Sequence, residues 1–186
     1  MVRCAIMCTV VVATALPARA QTALIELSGG YNFLRLPGAA LPDENLPAGW
    51  YADVAANVTD MFAAVGQVDG NYQSREFTGD FAGSMNTSVH RFMGGVRVHV
   101  RTNPRVVPFG QVLVGAMHVR RAFAPYALDT ETDAALQAGG GVNLMSRNIG
   151  VRVGLDYMRV FGGYDLIPGV NGFRFAAGVV YGFGRR

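Results

Sequence analysis

Apolar and polar residues alternate along eight separate stretches of this chain. Beyond residue 20, no apolar run approaches the ~20 residues that a spanning helix requires. Alternation at period two marks a strand with two unlike faces, so the chain is constrained to an all-β fold. In Leu24 to Arg35, Ile25, Leu27, Tyr31 and Phe33 share one face, and Glu26, Ser28 and Asn32 the other. Gly49 to Val58 sets Trp50, Ala52, Val54 and Val58 against Asp53 and Asn57, and Phe62 to Gln73 sets Ala64, Val68 and Tyr72 against Gln67, Asp69 and Asn71. The clearest stretch is Thr87 to Arg101, where Phe92, Val96, Val98 and Val100 oppose Arg91, Arg97, His99 and Arg101.

The fifth stretch, Val106 to Val119, has an ambiguous register: Gln111 marks its face as polar, while Leu113 and Met117 on that same face argue against it. Ala134 to Leu144 opposes Leu136, Val142 and Leu144 to Gln137 and Asn143. Ile149 to Phe161 opposes Val151, Val153, Leu155 and Tyr157 to Arg152 and Asp156, leaving Arg159 on the apolar side near the strand end. Asn171 to Phe183 sets Phe173, Phe175, Val179, Tyr181 and Phe183 opposite Arg174.

The connectors alternate in length. Leu36 to Ala48, Ser74 to Asn86, Arg120 to Asp133 and Gly162 to Val170 are long, whereas those around Thr59-Asp60, Thr102 to Arg105 and Met145 to Asn148 are short. An even number of up-and-down strands, with long loops at one end and tight turns at the other, is the layout of a transmembrane barrel of an outer membrane. Eight strands is the smallest common size, and its interior is filled by side chains. The expected fold is therefore an eight-stranded antiparallel up-and-down transmembrane β-barrel.

Period two does not by itself say which face looks outward, because a soluble lipocalin-like ligand-binding barrel alternates with its faces exchanged. Two features favour the membrane. On an up-and-down path, Tyr31, Phe33, Trp50, Tyr72, Tyr157, Phe161 and Phe173 fall towards the long-loop end. Phe62, Phe109, Tyr181 and Phe183 fall towards the short turns, giving two interfacial belts. The polar face also carries four carboxylates, Glu26, Asp53, Asp69 and Asp156, and four guanidiniums, Arg91, Arg97, Arg152 and Arg174. Eight such charges fit a narrow interior only if they pair. They form the expected lumenal polar network, with a structural role.

The first twenty residues read as a cleaved signal peptide: Arg3, an apolar core from Ala5 to Leu16, the helix-breaking Pro17, and the small-residue site Ala18-Arg19-Ala20. The core is too short to anchor the chain. Cleavage leaves one barrel domain, residues 21–186, with no second domain expected. Both cysteines, Cys4 and Cys8, depart with the signal, which excludes disulfides, a thiol nucleophile and cysteine metal sites. All 16 basic residues are arginine. Without Arg3 and Arg19, 14 basic groups face 13 acidic ones, so electrostatics gives no case for nucleic acid.

Phe92-Met93-Gly94-Gly95-Val96-Arg97-Val98, followed after a turn by Val107-Pro108-Phe109-Gly110-Gln111-Val112, resembles two consecutive strands of small outer-membrane barrels of the OmpA/OmpX-like type. So do Leu155-Asp156-Tyr157 and the final stretch from Phe173 to Phe183. The resemblance covers essentially the whole mature chain. It implies residence in a bacterial outer membrane among lipid and lipopolysaccharide, and insertion by the barrel-assembly machinery, which reads an aromatic-ended last strand. Phe183 matches that signal, although Gly184, Arg185 and Arg186 follow it. An extracellular partner would be met through the long loops, whose acidic residues are Asp43, Glu44, Glu76, Asp80, Asp129, Glu131, Asp133 and Asp165.

No catalytic, cofactor or metal site is expected. Ser88 and His90 share a face, and a hydroxyl needs an adjacent base to become a nucleophile. Yet the order Ser-x-His reverses the His-x-Ser of barrel lipid A deacylases. His90, His99 and His118 lie at separated positions without ligand spacing. Gly139-Gly140-Gly141 lacks the Lys-Ser/Thr of a phosphate loop and reads as strand glycine permitting tight curvature. Asp129, Glu131 and Asp133 lack the Gly and distal Glu of an EF-hand. The function expected is thus structural or surface-interacting, with a plugged lumen. A narrow or gated pore and the lipocalin-like binder are the alternatives.

Overall fold

The structure, a computed structural model, describes residues 23–37, 45–77, 83–124, 127–162 and 170–184. These form β1 (Ile25–Arg35), β2 (Asn45–Leu46), β3 (Ala48–Asn57), β4 (Phe62–Phe77), β5 (Gly83–His99), β6 (Val106–Ala124), β7 (Ala127–Ser146), β8 (Ile149–Phe161) and β9 (Asn171–Phe183). Each long strand pairs antiparallel with its neighbours in sequence, and β1 pairs with β9 from Ile25↔Phe183 to Arg35↔Phe173. Among the described residues, eight long strands thus close into an up-and-down barrel with no open edge, the fold expected. The reading of residues 1–20 as a signal peptide lies outside the described residues, as do Asp43, Glu44, Asp80 and Asp165.

The two-residue β2 continues the line of β3 across a bulge. Tyr31 opposes Trp50, but three residues on Leu34 opposes Leu46, so the β2–β3 side carries one extra residue. Pro47, which has no N–H to give a ladder, sits at that break. The slip turns Leu46 inward, where it is buried. At the opposite end, β7 and β8 are joined by the two residues Arg147 and Asn148, and Arg147 takes a φ of 57°. Tight hairpins need such a left-handed residue for their turn to match the twist of the strands.

The faces sort as the alternation implies. Phe92, Val96, Val114 and Leu155 are exposed on the outside, each more than half accessible, while Asp69, Arg91 and Gln137 are wholly buried within. An apolar exterior around a polar interior reverses a soluble barrel, so the lipocalin-like alternative is set aside. Arg159 projects outward near the long-connector end, with its guanidinium 5.7 Å from the Phe161 ring centroid.

Three expectations need correction. The segments 74–86 and 120–133 are strand over much of their length: β4 reaches Phe77, β5 starts at Gly83, and β6 and β7 run on to Ala124 and Ala127. Where neither face of a strand meets lipid, the period-two pattern fades while the backbone ladder continues. Phe109 belongs to no interfacial belt: it points into the lumen and is buried. On β6, Gln111, Leu113 and Met117 all face inward, which settles the register by showing that the interior is not uniformly polar.

The interior is layered. From the short turns upward, charged and amide side chains dominate the first half of the lumen, with Phe109, Ala55, Ala63 and Val65 buried between them. Met117 and Met158 stand beside Arg91, and towards the long connectors the lining turns apolar with Leu34, Leu46, Val89 and Val160, all buried.

Candidate functional site

Alternate residues of adjacent strands project into a bore too narrow for water to surround each side chain, so every charge there must find a protein partner. All eight residues of the expected network are buried, and they join in tiers. At the short-turn rim Glu26 accepts from Arg101 at 2.8 Å and from Arg152 at 3.3 Å. The Asn57 amide also donates to Glu26, at 3.1 Å. Above it, Asp53 receives Arg97 through Nη1 at 3.3 Å and Nη2 at 3.1 Å, Arg152 at 2.8 Å, and the Ser28 hydroxyl at 2.7 Å. The third tier joins Asp69 to Arg91 and Asp156 to Arg174, the latter at 2.8 Å. Arg174 Nε stands 3.8 Å from Asp69 Oδ2, close enough for charge attraction but too far for a hydrogen bond.

Amides bridge the tiers. The Gln111 carbonyl accepts from Arg97 at 2.8 Å, and its amide donates to Asp156 at 3.0 Å. Gln67 donates to Asp69 at 2.7 Å. Arg152 reaches furthest, donating to Asn143 at 2.8 Å as well as to Ser28, Asp53 and Glu26. The network therefore links β1, β3, β5, β6, β7 and β8 in its lower two tiers alone.

Four members of this site lie outside the expected set of eight, although His99 and Arg101 share its polar face. Arg101 joins Glu26, so five guanidiniums meet four carboxylates and the four-against-four balance is corrected. His99 is fully buried 3.6 Å from Glu26, whereas its place near a turn suggests only a rim residue. Phe109 and Tyr51 supply ring faces: the Arg97 and Arg152 guanidiniums lie 5.0 and 5.1 Å from the Phe109 centroid, and that of Arg174 lies 5.0 Å from Tyr51. An inward aromatic is invisible to alternation because it looks like any apolar residue one register step away.

The remaining candidates take other partners. His90 Nε2 meets the Tyr72 hydroxyl at 3.1 Å, and Trp50 Nε1 donates to that same oxygen at 3.3 Å. The base beside Ser88 is thus engaged by a belt tyrosine. His90 and His118 are register partners across β5 and β6, which corrects their reading as separated positions, and His118 meets Thr132 at 2.8 Å. Among the described residues no group of three His, Cys, Asp or Glu side chains is disposed to hold a metal. Glu131 and Asp133 line a pocket of about 400 Å³ at the long-connector end, together with Arg121 and an apolar floor that includes Leu36, Val89 and Met117.

No family model matches the chain, and no curated protein does. Solved structures do. The neisserial surface protein A aligns with a TM-score of 0.67 at 10% identity, covering 86% of this chain and 96% of that one. The fold is that of the small outer-membrane barrels. The attachment invasion locus protein Ail of Yersinia pestis aligns with a TM-score of 0.58 at 18% identity, over 86% of this chain and 99% of Ail. The N-terminal barrel domain of Pseudomonas aeruginosa OprF aligns at 0.52 and 12%, over 88% of this chain and all of that domain. Ail has also been solved with the heparin analogue sucrose octasulfate. At such identities the likeness concerns the barrel, and the side chains of this lumen stand on their own geometry.

Proposed function

We propose that this chain is a non-enzymatic barrel of a bacterial outer membrane with a structural or surface-interaction role, its lumen plugged by the arginine–carboxylate network. One observation carries the reading: the polarity is inverted, with large apolar side chains outside and ion pairs buried inside. Water outside would leave Phe92, Val114 and Leu155 as exposed hydrophobic surface around the whole circumference, whereas hydrocarbon accommodates them. The small-barrel fold shared with Ail, NspA and OprF supports the same placement. On this reading residues 1–20 direct export, the barrel-assembly machinery inserts residues 21–186, and lipid and lipopolysaccharide surround the belts. The long connectors face outward, where a surface partner would meet them.

Heat-modifiability tests it. The mature chain, extracted in mild detergent from an outer-membrane fraction, is expected to migrate differently on an SDS gel before and after boiling. Recovery in the soluble periplasmic fraction with no shift would overturn the proposal.

A narrow gated pore is the second reading, favoured by the polar cavity that lies among the charged tiers. Planar-bilayer recording separates the two. If the network is a plug, the double variant Arg97→Ala/Arg152→Ala raises conductance over a nearly silent wild type. An unchanged signal from the folded variant removes the plug, and open-channel steps in the wild type favour the pore.

A further inference from the structure

Arg174 is the one guanidinium of the middle tiers whose donors are not used up. Arg97 and Arg152 spend all three of their nitrogens on protein acceptors. Arg174 donates only through Nη1, to Asp156. Its Nε and Nη2 are buried without an acceptor, and the Tyr51 hydroxyl, under whose ring face it lies, is buried without a partner too. The Arg174 side chain is only 3% exposed. Leaving buried charged donors unmatched is expensive, of the order of 1–3 kcal/mol or more for each group.

These donors border a cavity of about 230 Å³, walled by Tyr51, Asp53, Arg97, Phe109, Asp156 and Arg174. Arg152 also lines it. The charges on that wall do not cancel: three guanidiniums meet two carboxylates. Over the charged tiers as a whole the excess persists, because Arg91 is balanced by Asp69 and Arg101 by Glu26. A buried surplus of one positive charge, beside unmatched N–H and O–H donors and among side chains that are themselves buried, has the chemistry of an anion site.

We infer that the barrel interior binds a small monovalent anion of the halide class at Arg174 and Tyr51. The single surplus charge favours a monovalent anion over a sulfate or phosphoryl dianion, and the burial of the lining side chains excludes a group carried on a larger molecule. The anion completes the hydrogen bonding of Arg174 and cancels the surplus charge, so it joins the structure that holds β3 to β9. The inference depends on the interior alone and not on where the barrel resides.

The test uses the refolded mature barrel in zwitterionic detergent. Its unfolding half-time is read from the unboiled gel shift while sodium chloride or bromide replaces sodium gluconate at constant ionic strength. The wild type is expected to unfold several-fold more slowly as halide rises, with saturation in the millimolar range, as mass action on a native-state site requires. Arg174→Gln should abolish the dependence, and Arg120→Gln, on the exposed outer face, should retain it. Bromide should give an anomalous peak within hydrogen-bonding distance of Arg174 Nε in crystals. Should Arg174→Gln fail to fold, Tyr51→Phe serves, with a weakened dependence expected. A flat wild-type response, an equal response in the Arg174 or Tyr51 variant, or a bromide crystal without that peak would each overturn the site and leave water as its content.

Discussion

Arg152 donates to Glu26, Ser28, Asp53 and Asn143 and lies over the Phe109 ring, so its removal strips partners from two buried carboxylates at once. Breaking a buried pair by deleting one member costs about 3–5 kcal/mol, because the other charge is left without compensation. Arg152→Ala should therefore lower the urea midpoint far more than Arg120→Ala does. Equal midpoints would show that water enters the lumen freely and solvates the carboxylates. Phe109→Leu keeps an apolar side chain but loses the ring face shared by Arg97 and Arg152. A loss of roughly 1–2 kcal/mol is expected from cation–π contact in a desolvated setting, measured by the same unfolding assay. Neither role for Phe109 is visible from residues alone, since a belt aromatic and a lumenal one differ only by which way the strand is turned.

At the scale of the strand, Gly139-Gly140-Gly141 shows why glycine recurs in this barrel. A Cβ at Gly139 would strike the Leu155 carbonyl and the Asp156 side chain, and one at Gly141 the Val153 carbonyl. Strand β7 thus lies against β8 where no side chain fits, while Asp156 is kept beside Gln111 and Arg174. Gly141→Val is expected to abolish heat-modifiability, whereas Ala138→Val, on the outer face of the same strand, leaves the gel shift intact. Tolerance of Gly141→Val would mean that the two strands sit further apart. The curvature reading of these glycines was available from the sequence. The length of β6 and β7 was not, because outside the apolar band neither face is selected for lipid and the ladder proceeds without a pattern.

For the whole molecule, the inverted polarity makes a directional prediction. Val114 lies outside at mid-strand and is 60% exposed. Val114→Arg should cost ~2–4 kcal/mol in phospholipid bilayers if that face meets hydrocarbon. The same substitution at a solvent-facing site would be nearly neutral, so a negligible effect on folding into vesicles would contradict the membrane placement. The two halves of the lumen also differ in kind. The charged tiers resist deletion of single partners, while the apolar layer under the long connectors resists water by packing.

Eight strands, their order and the inward set of Glu26, Asp53, Asp69, Arg91, Arg97, Arg152, Asp156 and Arg174 were legible in the sequence, whereas the alternation of connector lengths was not, since β6 ends at Ala124 and β7 starts at Ala127. Period two is a local property of the backbone, so each strand announces its own faces without reference to its neighbours. Pairing partners are another matter. That Arg152 reaches Glu26 and Asp53, that Arg101 adds a fifth guanidinium, and that Arg174 is left with donors to spare depend on the radius and stagger of the closed barrel. Those quantities belong to all the strands together. The inward turn of Phe109, the apolar upper lumen and the meeting of His90 with His118 were decided the same way, because register is set between strands and no single strand carries it.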